Sequence, residues 1–217
     1  MDFAISYSCG KDSALALYRM IKAGNRPVAM ITTVNAKENR SWFHGVSGDL
    51  IEEISKSLGI PLILCRCEPE EYLDAIEKGL AEAKSMGAQA CVFGDIDIED
   101  HKKWNEKLCQ NAGLECIIPL WGESREALIA ESINSGFKSM IKIVQKAFLD
   151  ESFLGETLTA ELVEKIKATG ADACGENGEY HTIVYDGPVF SSPVPLERGR
   201  LVDFPEHIAI DVGLKDF

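Results

Sequence analysis

Short apolar runs alternate with stretches of helical periodicity from the N-terminus to about residue 145. Residues 4–7 (AISY) read as a buried strand. Residues 13–23 read as a helix, with Leu15, Leu17, Tyr18 and Ile21 as its apolar positions and Gly24 closing it. Further strands are predicted at 27–34 (PVAMITTV), 61–65 (PLILC), 90–93 (ACVF) and 115–118 (ECII), and further helices at 47–58, 70–86, 99–111 and 124–134. Such an alternation predicts right-handed βαβ units and a parallel sheet covered on both faces. Ligands on these sheets bind beyond the carboxyl ends of the strands. The loops after Tyr7, Val34 and Phe93 are therefore where chemistry is expected.

The pattern changes after residue 121. Residues 138–144 alternate charged and apolar side chains, and 161–168 form a short helical pattern. A Gly- and Pro-rich stretch fills 170–195, with a strand expected at 182–185, and 204–212 reads as one last strand. We expect a larger α/β unit over residues 1–121 and a smaller α+β unit over 122–217.

Composition adds limits. A chain of 217 residues can bury roughly 70% of its unfolded surface, so it needs no metal or disulfide to fold. A net charge of −13 repels a phosphate backbone and disfavours bulk nucleic acid as a partner. Seven cysteines without a CxxC pair predict a reducing, cytoplasmic setting. Cys65 and Cys67 are a weak metal signal, and the scattered histidines make zinc an unattractive reading. The start, MDFAISYS, lacks the features of a signal peptide. No apolar run approaches the ~20 residues of a membrane span, so no membrane partner is expected.

The candidate chemistry begins at SYSCGKDS, residues 6–13. It is not a GxxxxGK[ST] loop, because Ile5 stands where the first glycine belongs and Asp12 where Ser or Thr would hold magnesium. GxGxxG also fails, since only Gly10 is present. The parts nevertheless suit a phosphate: Gly10 for close backbone approach, a helix N-terminus, the Ser8 and Ser13 hydroxyls, and the Lys11 cation. The plain alternative is a capped strand–helix turn, with Asp12 or Ser13 as cap and Lys11 in solvent.

SxGKDS directly after the first strand resembles the pyrophosphatase loop, SGGxDS, of the N-type ATP pyrophosphatases. Cys9 stands where the usual glycine would be, which requires a turn open to a Cβ. Three more stretches resemble one subfamily: SWFHGVS (41–47), GDIDIEDHKKWNEKLCQNAGLECIIPLWG (94–122) and DACGENGEYHTIVYDGPVF (172–190). Together they identify the chain as a likeness of the diphthine–ammonia ligase family, over about residues 3–190, with GENGEYHT the most specific part.

Even without that likeness, GENGEYHT brackets Glu176 and Asn177 between Gly175 and Gly178, which suggests a turn. Glu179, His181 and Glu176 could then converge, and two carboxylates with an imidazole suit ammonium binding and proton transfer. A hairpin loop with solvated acids is the competing reading. Asp95 follows a strand end and suits either Mg²⁺ or a helix cap. His101 and Trp104 share a helix face, where Trp104 reads first as packing.

The resemblance implies a HUP-like (adenine nucleotide alpha hydrolase-like) fold: a parallel five-stranded sheet with helices on both faces and a smaller C-terminal α+β part. It implies that ATP is cleaved between the α- and β-phosphates, that a carboxylate is adenylated, and that ammonia displaces AMP. Ser8, Cys9, Gly10, Lys11, Asp12, Ser13, Thr32, Thr33, Val34 and His44 would bind ATP. Gly94, Asp95, Glu176, Asn177, Glu179 and His181 would meet substrate. Lys11, Asp12, Glu179 and His181 would be catalytic, with Glu179 or His181 as the base. Mg²⁺ would sit on Asp12 or Asp95. The implied partners are ATP, ammonium and a carboxylate substrate, diphthine on elongation factor 2 where that exists; a homodimer stays open. A PP-loop enzyme acting on another acid or on RNA, or a non-catalytic nucleotide sensor, are the rival readings.

Overall fold

The computed structural model describes residues 1–215. The first strand, β1 (Asp2–Ser6), runs between β2 (Arg26–Asn35) and β5 (Ala90–Val92) and is parallel to both. Beyond β2 lies β4 (Leu62–Cys67), and beyond β5 lies β6 (Glu115–Ile117), again parallel. The five parallel strands expected are all present, in the order β4-β2-β1-β5-β6. A two-residue strand, β3 (Arg40–Ser41), adds an antiparallel bridge to the end of β2 and was not anticipated. The chain runs outward from β1 to β2 and β4 and then crosses back to β5 and β6, so the crevice at the carboxyl ends of β1 and β5 is the switch point where α/β sheets take ligands.

Alternation along the strands decides which helices cover which face. Phe3, Ile5, Tyr7, Met30, Ala90 and Val92 share a core with α1 (Lys11–Lys22) and α2 (Gly48–Leu58). Ala4, Ala29, Ile31, Cys91 and Phe93 point the other way, onto α3 (Tyr72–Ser85) and α4 (Glu99–Ala112). Both faces are thus dry, which is why these strands read as uniform apolar runs.

After α5 (Arg125–Asn134) the chain builds a second sheet from β7 (Lys138–Gln145), β8 (Tyr180–Asp186), β9 (Leu196–Asp203) and β10 (His207–Leu214), all antiparallel, in the order β8-β7-β10-β9. A short helix, α6 (Ala160–Ala168), lies between β7 and β8. Met140, Ile141, Ile183, Val184, Ile210 and Val212 from this sheet join the α1/α2 core. The predicted last strand at 204–212 is corrected. Phe204 belongs to the hairpin turn, where its amide donates to the His207 carbonyl at 2.9 Å and its ring stacks on His207. The strand before it, β9, was missed because LERGRLVD is mostly exposed and carries no apolar face. Among the described residues no helix is long and apolar enough to cross a membrane. All seven cysteines are free, and all but half-buried Cys116 are buried.

Candidate active site

A cavity of about 670 Å³ opens beyond the carboxyl ends of β1 and β5. Three segments far apart in sequence meet there: the β1–α1 loop, the start of α4 with the loop before it, and the 175–182 stretch leading into β8. A smaller cavity of about 50 Å³ adjoins it beside the end of β2, lined by Thr32, Thr33, Trp42 and Tyr72 among others.

The β1–α1 loop is held from both sides. Cys9 has φ of +68° and is fully buried. The expectation of a turn open to a Cβ is therefore refined: a left-handed position carries a side chain that the core accommodates. The Cys9 carbonyl accepts from the Val184 amide at 2.8 Å, and the Lys11 amide donates to Thr182 Oγ1 at 3.1 Å. Gly10 precedes α1 with extended backbone and makes no side-chain cap. A Cβ on it would lie 2.5 Å from the His44 ring, so His44 can pack there only against glycine. Ser13 Oγ donates to the Gly10 carbonyl at 2.9 Å and lies 3.2 Å from Ser8 Oγ. Neither Asp12 nor Ser13 caps the helix.

Lys11 is only 5% exposed, against the reading that placed it in solvent. Its Nζ sits 2.7 Å from Asp12 Oδ2 and 5.5 Å from the centre of the Tyr180 ring. Burial works against its charge, but Asp12, Tyr180 and Cys174 outweigh that and keep the ammonium protonated. The amides of Asp12 and Ser13, in the first turn of α1, have no acceptor within the helix. A buried cation beside such amides favours an anion.

His44 Nδ1 lies 2.8 Å from the Thr182 carbonyl, so it carries the proton and leaves Nε2 as a lone pair. Burial, and then His181 at 5.0 Å between ring centroids, depress its pKa to about 3. Burial and Lys11 likewise depress His181 to about 4. Both imidazoles are neutral at pH 7, and His181 lines the large cavity.

In the last segment two glutamates three residues apart have opposite fates. Glu179 is 3% exposed and accepts from the Asp172 amide, the Asn177 amide and the Asn177 side chain, each at 3.1 Å. Burial pushes its pKa up, and these donors more than reverse that, so it ends below the usual range. Its carboxylate is spent inside the loop and does not line the cavity, which runs against its expected contact with substrate. Glu176 does line it. Burial first and the Asp12 charge second, opposed by Lys11, lift its pKa to about 7. Asn177 also lines the cavity, and its side chain binds Glu179.

Gly94 lets the end of β5 press against α1, since a Cβ there would lie 2.7 Å from the Ser13 amide nitrogen. Asp95 is engaged on both oxygens, with His101 Nδ1 at 3.2 Å and Asn105 Nδ2 at 2.8 Å. Thr32 and Thr33 reach the small cavity, Thr32 with its hydroxyl donating to the Tyr7 carbonyl at 2.8 Å. Val34 is fully buried in the core and lines neither cavity, so its side chain faces away from both. Trp104 is 40% exposed at the rim of the large cavity, with Tyr72 at 6.2 Å, and is no core residue.

Magnesium fits Asp12 better than Asp95. Asp12 faces the cavity with one oxygen on Lys11 and the other without a protein partner among the described residues. Mg²⁺ in nucleotide sites needs only one or two carboxylates beside phosphate oxygens and water. Among the described residues no three His, Cys, Asp or Glu side chains are grouped to hold a metal by themselves.

Comparison with known proteins gives a consistent result. The model of the diphthamide synthase N-terminal domain matches residues 1–116, and that of the diphthamide synthase C-terminal domain matches residues 124–204. A diphthine–ammonia ligase of Homo sapiens is 27% identical over 234 residues, covering 93% of this chain and 85% of its own length. One of Danio rerio is 25% identical over 237 residues, covering 97% and 92%. A solved structure from Methanocaldococcus jannaschii DSM, described as a predicted subunit of tRNA methyltransferase, superposes with a TM-score of 0.45. It is 19% identical and covers 85% of this chain and 96% of its own, a likeness too loose to argue from.

Proposed function

The chain belongs to the diphthamide synthase family, and from that premise we propose that it is an AMP-forming diphthine–ammonia ligase. Residues 1–121 would bind ATP and 122–217 would carry the acid-lined side of the site. The observation that supports this best is that Lys11, Asp12 and Glu176, from opposite ends of the chain, line one cavity.

The reaction needs two displacements. An oxygen of the substrate carboxylate attacks the α-phosphorus of ATP, and the bond to pyrophosphate breaks. Ammonia then attacks the activated carbonyl carbon, and AMP leaves with the oxygen. A bare carboxylate resists the second attack because oxide is a poor leaving group. Lys11 and the free amides of α1 receive the charge that builds on the departing pyrophosphate. Mg²⁺, when bound at Asp12, would neutralise phosphate charge. The small cavity beside Thr32, Thr33 and Trp42 suits the base of the nucleotide.

Glu176 takes the proton that ammonium must lose. A carboxylate with a pKa of about 7 is matched to a proton transfer at neutral pH. His181, near 4, is a weaker base and serves better as a neutral hydrogen-bond partner. Glu179 holds the loop.

The test supplies the protein with ATP, ammonium and elongation factor 2 bearing diphthine, and follows AMP, pyrophosphate and the amide by mass spectrometry. The expected result is AMP formed one for one with amide and dependent on ammonium. ADP as product, or turnover without ammonium, would overturn the reading, and turnover on bulk tRNA alone would favour an RNA substrate.

A further inference from the structure

We propose that Arg125 is the positioning residue of the site: one guanidinium locks the turn that presents Glu176 to the loop that follows β5. This rests on the reading of Glu176 given above. Arg125 does not line the cavity, so its influence on the site would run through the residues it holds. It stands at the first position of α5, after Ser124, whose hydroxyl accepts from the Ala127 amide. Its side chain is 24% exposed and faces two separate pieces of chain.

Toward β5 the contact is a fork. Nε and Nη2 each donate to Asp97 at 2.8 Å, one to either oxygen. Asp97 lies two residues beyond Asp95, so the fork fixes the loop that brings Asp95, Ile98 and His101 to the cavity. Toward the C-terminal segment Nη1 lies 3.2 Å from Asp172 Oδ2 and 3.5 Å from Asn177 Oδ1. That same Asp172 oxygen accepts the Glu176 amide at 2.9 Å. The chain of contacts is therefore short: Arg125 orients Asp172, and Asp172 holds the backbone of Glu176. The Arg125 carbonyl adds a third tie, accepting from Cys174 Sγ at 3.0 Å.

Bidentate geometry is what gives this arrangement its precision, because a planar fork fixes direction as well as distance. A lysine there would keep the charge and lose the fork. The turn's other outside ties run to the second sheet: Tyr180 Oη donates to the Ala173 carbonyl at 2.6 Å and the Gln145 amide to the Glu179 carbonyl at 2.9 Å. Glu179 organises it internally, through bonds that all stay between 172 and 179. Without the Arg125 fork the turn would keep its place on the second sheet and lose its ionic link to the loop after β5. A displacement near 1 Å at the reacting group is enough to cost about 100-fold in rate.

The experiment compares Arg125→Gln and Arg125→Lys with Glu176→Gln and the double variant Arg125→Gln/Glu176→Gln. Arg125→Gln is expected to lower kcat for amide formation about 10- to 100-fold, with KM for ATP within about two-fold of the parent. Arg125→Lys, which keeps the charge and loses the fork, should fall between the parent and Arg125→Gln. The double variant should be no slower than Glu176→Gln alone, because residues that act as one unit are not additive. Amide hydrogen exchange at Glu176 and Asn177 should speed up at least about ten-fold in Arg125→Gln while exchange in β1 stays unchanged. Unchanged exchange in that turn overturns the proposal, as does a double variant whose losses multiply. If Glu176→Gln itself keeps the full rate, the assignment of the base fails, and the exchange result alone then decides whether Arg125 holds the turn.

Discussion

The two loops that meet at the cavity are built on opposite plans. The Ser8–Ser13 loop is short, carries a buried cation, and is tied to the second sheet through Thr182 and Val184. Ser8, Lys11, Asp12 and Ser13 from it line the cavity. The Asp172–Asn177 turn is wrapped round a buried anion, Glu179, and tied outward through Arg125. The first concentrates positive potential and the second places a half-neutralised acid next to it. The two loops also meet electrostatically: burial is the main reason the Glu176 pKa is raised, with Asp12 adding to it and Lys11 opposing it.

The sharpest way to break this division of labour is at Asp12. Asp12→Ala removes the Lys11 partner and the candidate Mg²⁺ ligand together. ATP consumption should fall by about 10³-fold or more, measured as pyrophosphate release. Glu176→Gln should be next, lowering amide formation about 10²-fold while ATP binding by calorimetry stays intact. Its parent should gain rate as pH rises through about 7, where Glu176 loses its proton, and the variant should lose that limb. Stability should move the other way. Because the folded pKa of Glu176 lies above its unfolded value of 4.5, folding takes up a proton, and stability falls as pH rises between about 4.5 and 7. Glu176→Gln should therefore melt higher than the parent at pH 8, and by less or not at all at pH 4.

Glu179→Gln tests the other half. A glutamine presents an NH₂ to amides that need an acceptor, and one of them is left unsatisfied. The expected cost is about 1–3 kcal/mol of stability, read by urea unfolding, with a smaller loss of activity than at Glu176. An activity loss larger than that of Glu176→Gln, at equal stability, would return Glu179 to the role of base.

Much of this was legible in the sequence, and the remainder fails for physical reasons. Uniform apolar runs disclosed the parallel strands because both faces of that sheet are dry. The phosphate-like loop disclosed itself through residue types at a strand–helix junction, where local chemistry is decided by backbone alone. From sequence, Glu179 stood ahead of Glu176 as the base, although they are the same residue three positions apart and only tertiary donors separate them. Arg125, Asp97 and Asp172 gave no signal, because isolated charges in loops look solvated until the chain brings them together. Gly94 was expected to meet substrate, while its packing against α1 could have been found by asking why a strand end beside a helix start lacks a Cβ. Trp104 was misread because helical spacing cannot tell a cavity rim from a core.

The smallest effect sharpens the first loop. Cys9 occupies a left-handed backbone position that costs an L-residue roughly 1–2 kcal/mol. Glycine removes that strain, but it gives up a buried thiol and adds freedom to the unfolded chain, worth about 0.5–1 kcal/mol. These oppose one another, so Cys9→Gly should change stability by no more than ~1 kcal/mol, on the destabilising side because packing is lost as well. Cys9→Val should cost distinctly more. A branched Cβ fits poorly at positive φ, and the Cys9 carbonyl, bonded to Val184, would carry the distortion into the loop that seats Lys11. Urea unfolding ranks the three proteins, and a valine variant as stable as the glycine one would show the position to be unstrained. The thiol, pushed up to about 12 by burial, should also stay unreactive to alkylating reagents at pH 8 in the folded protein. Its part in the loop is then volume alone.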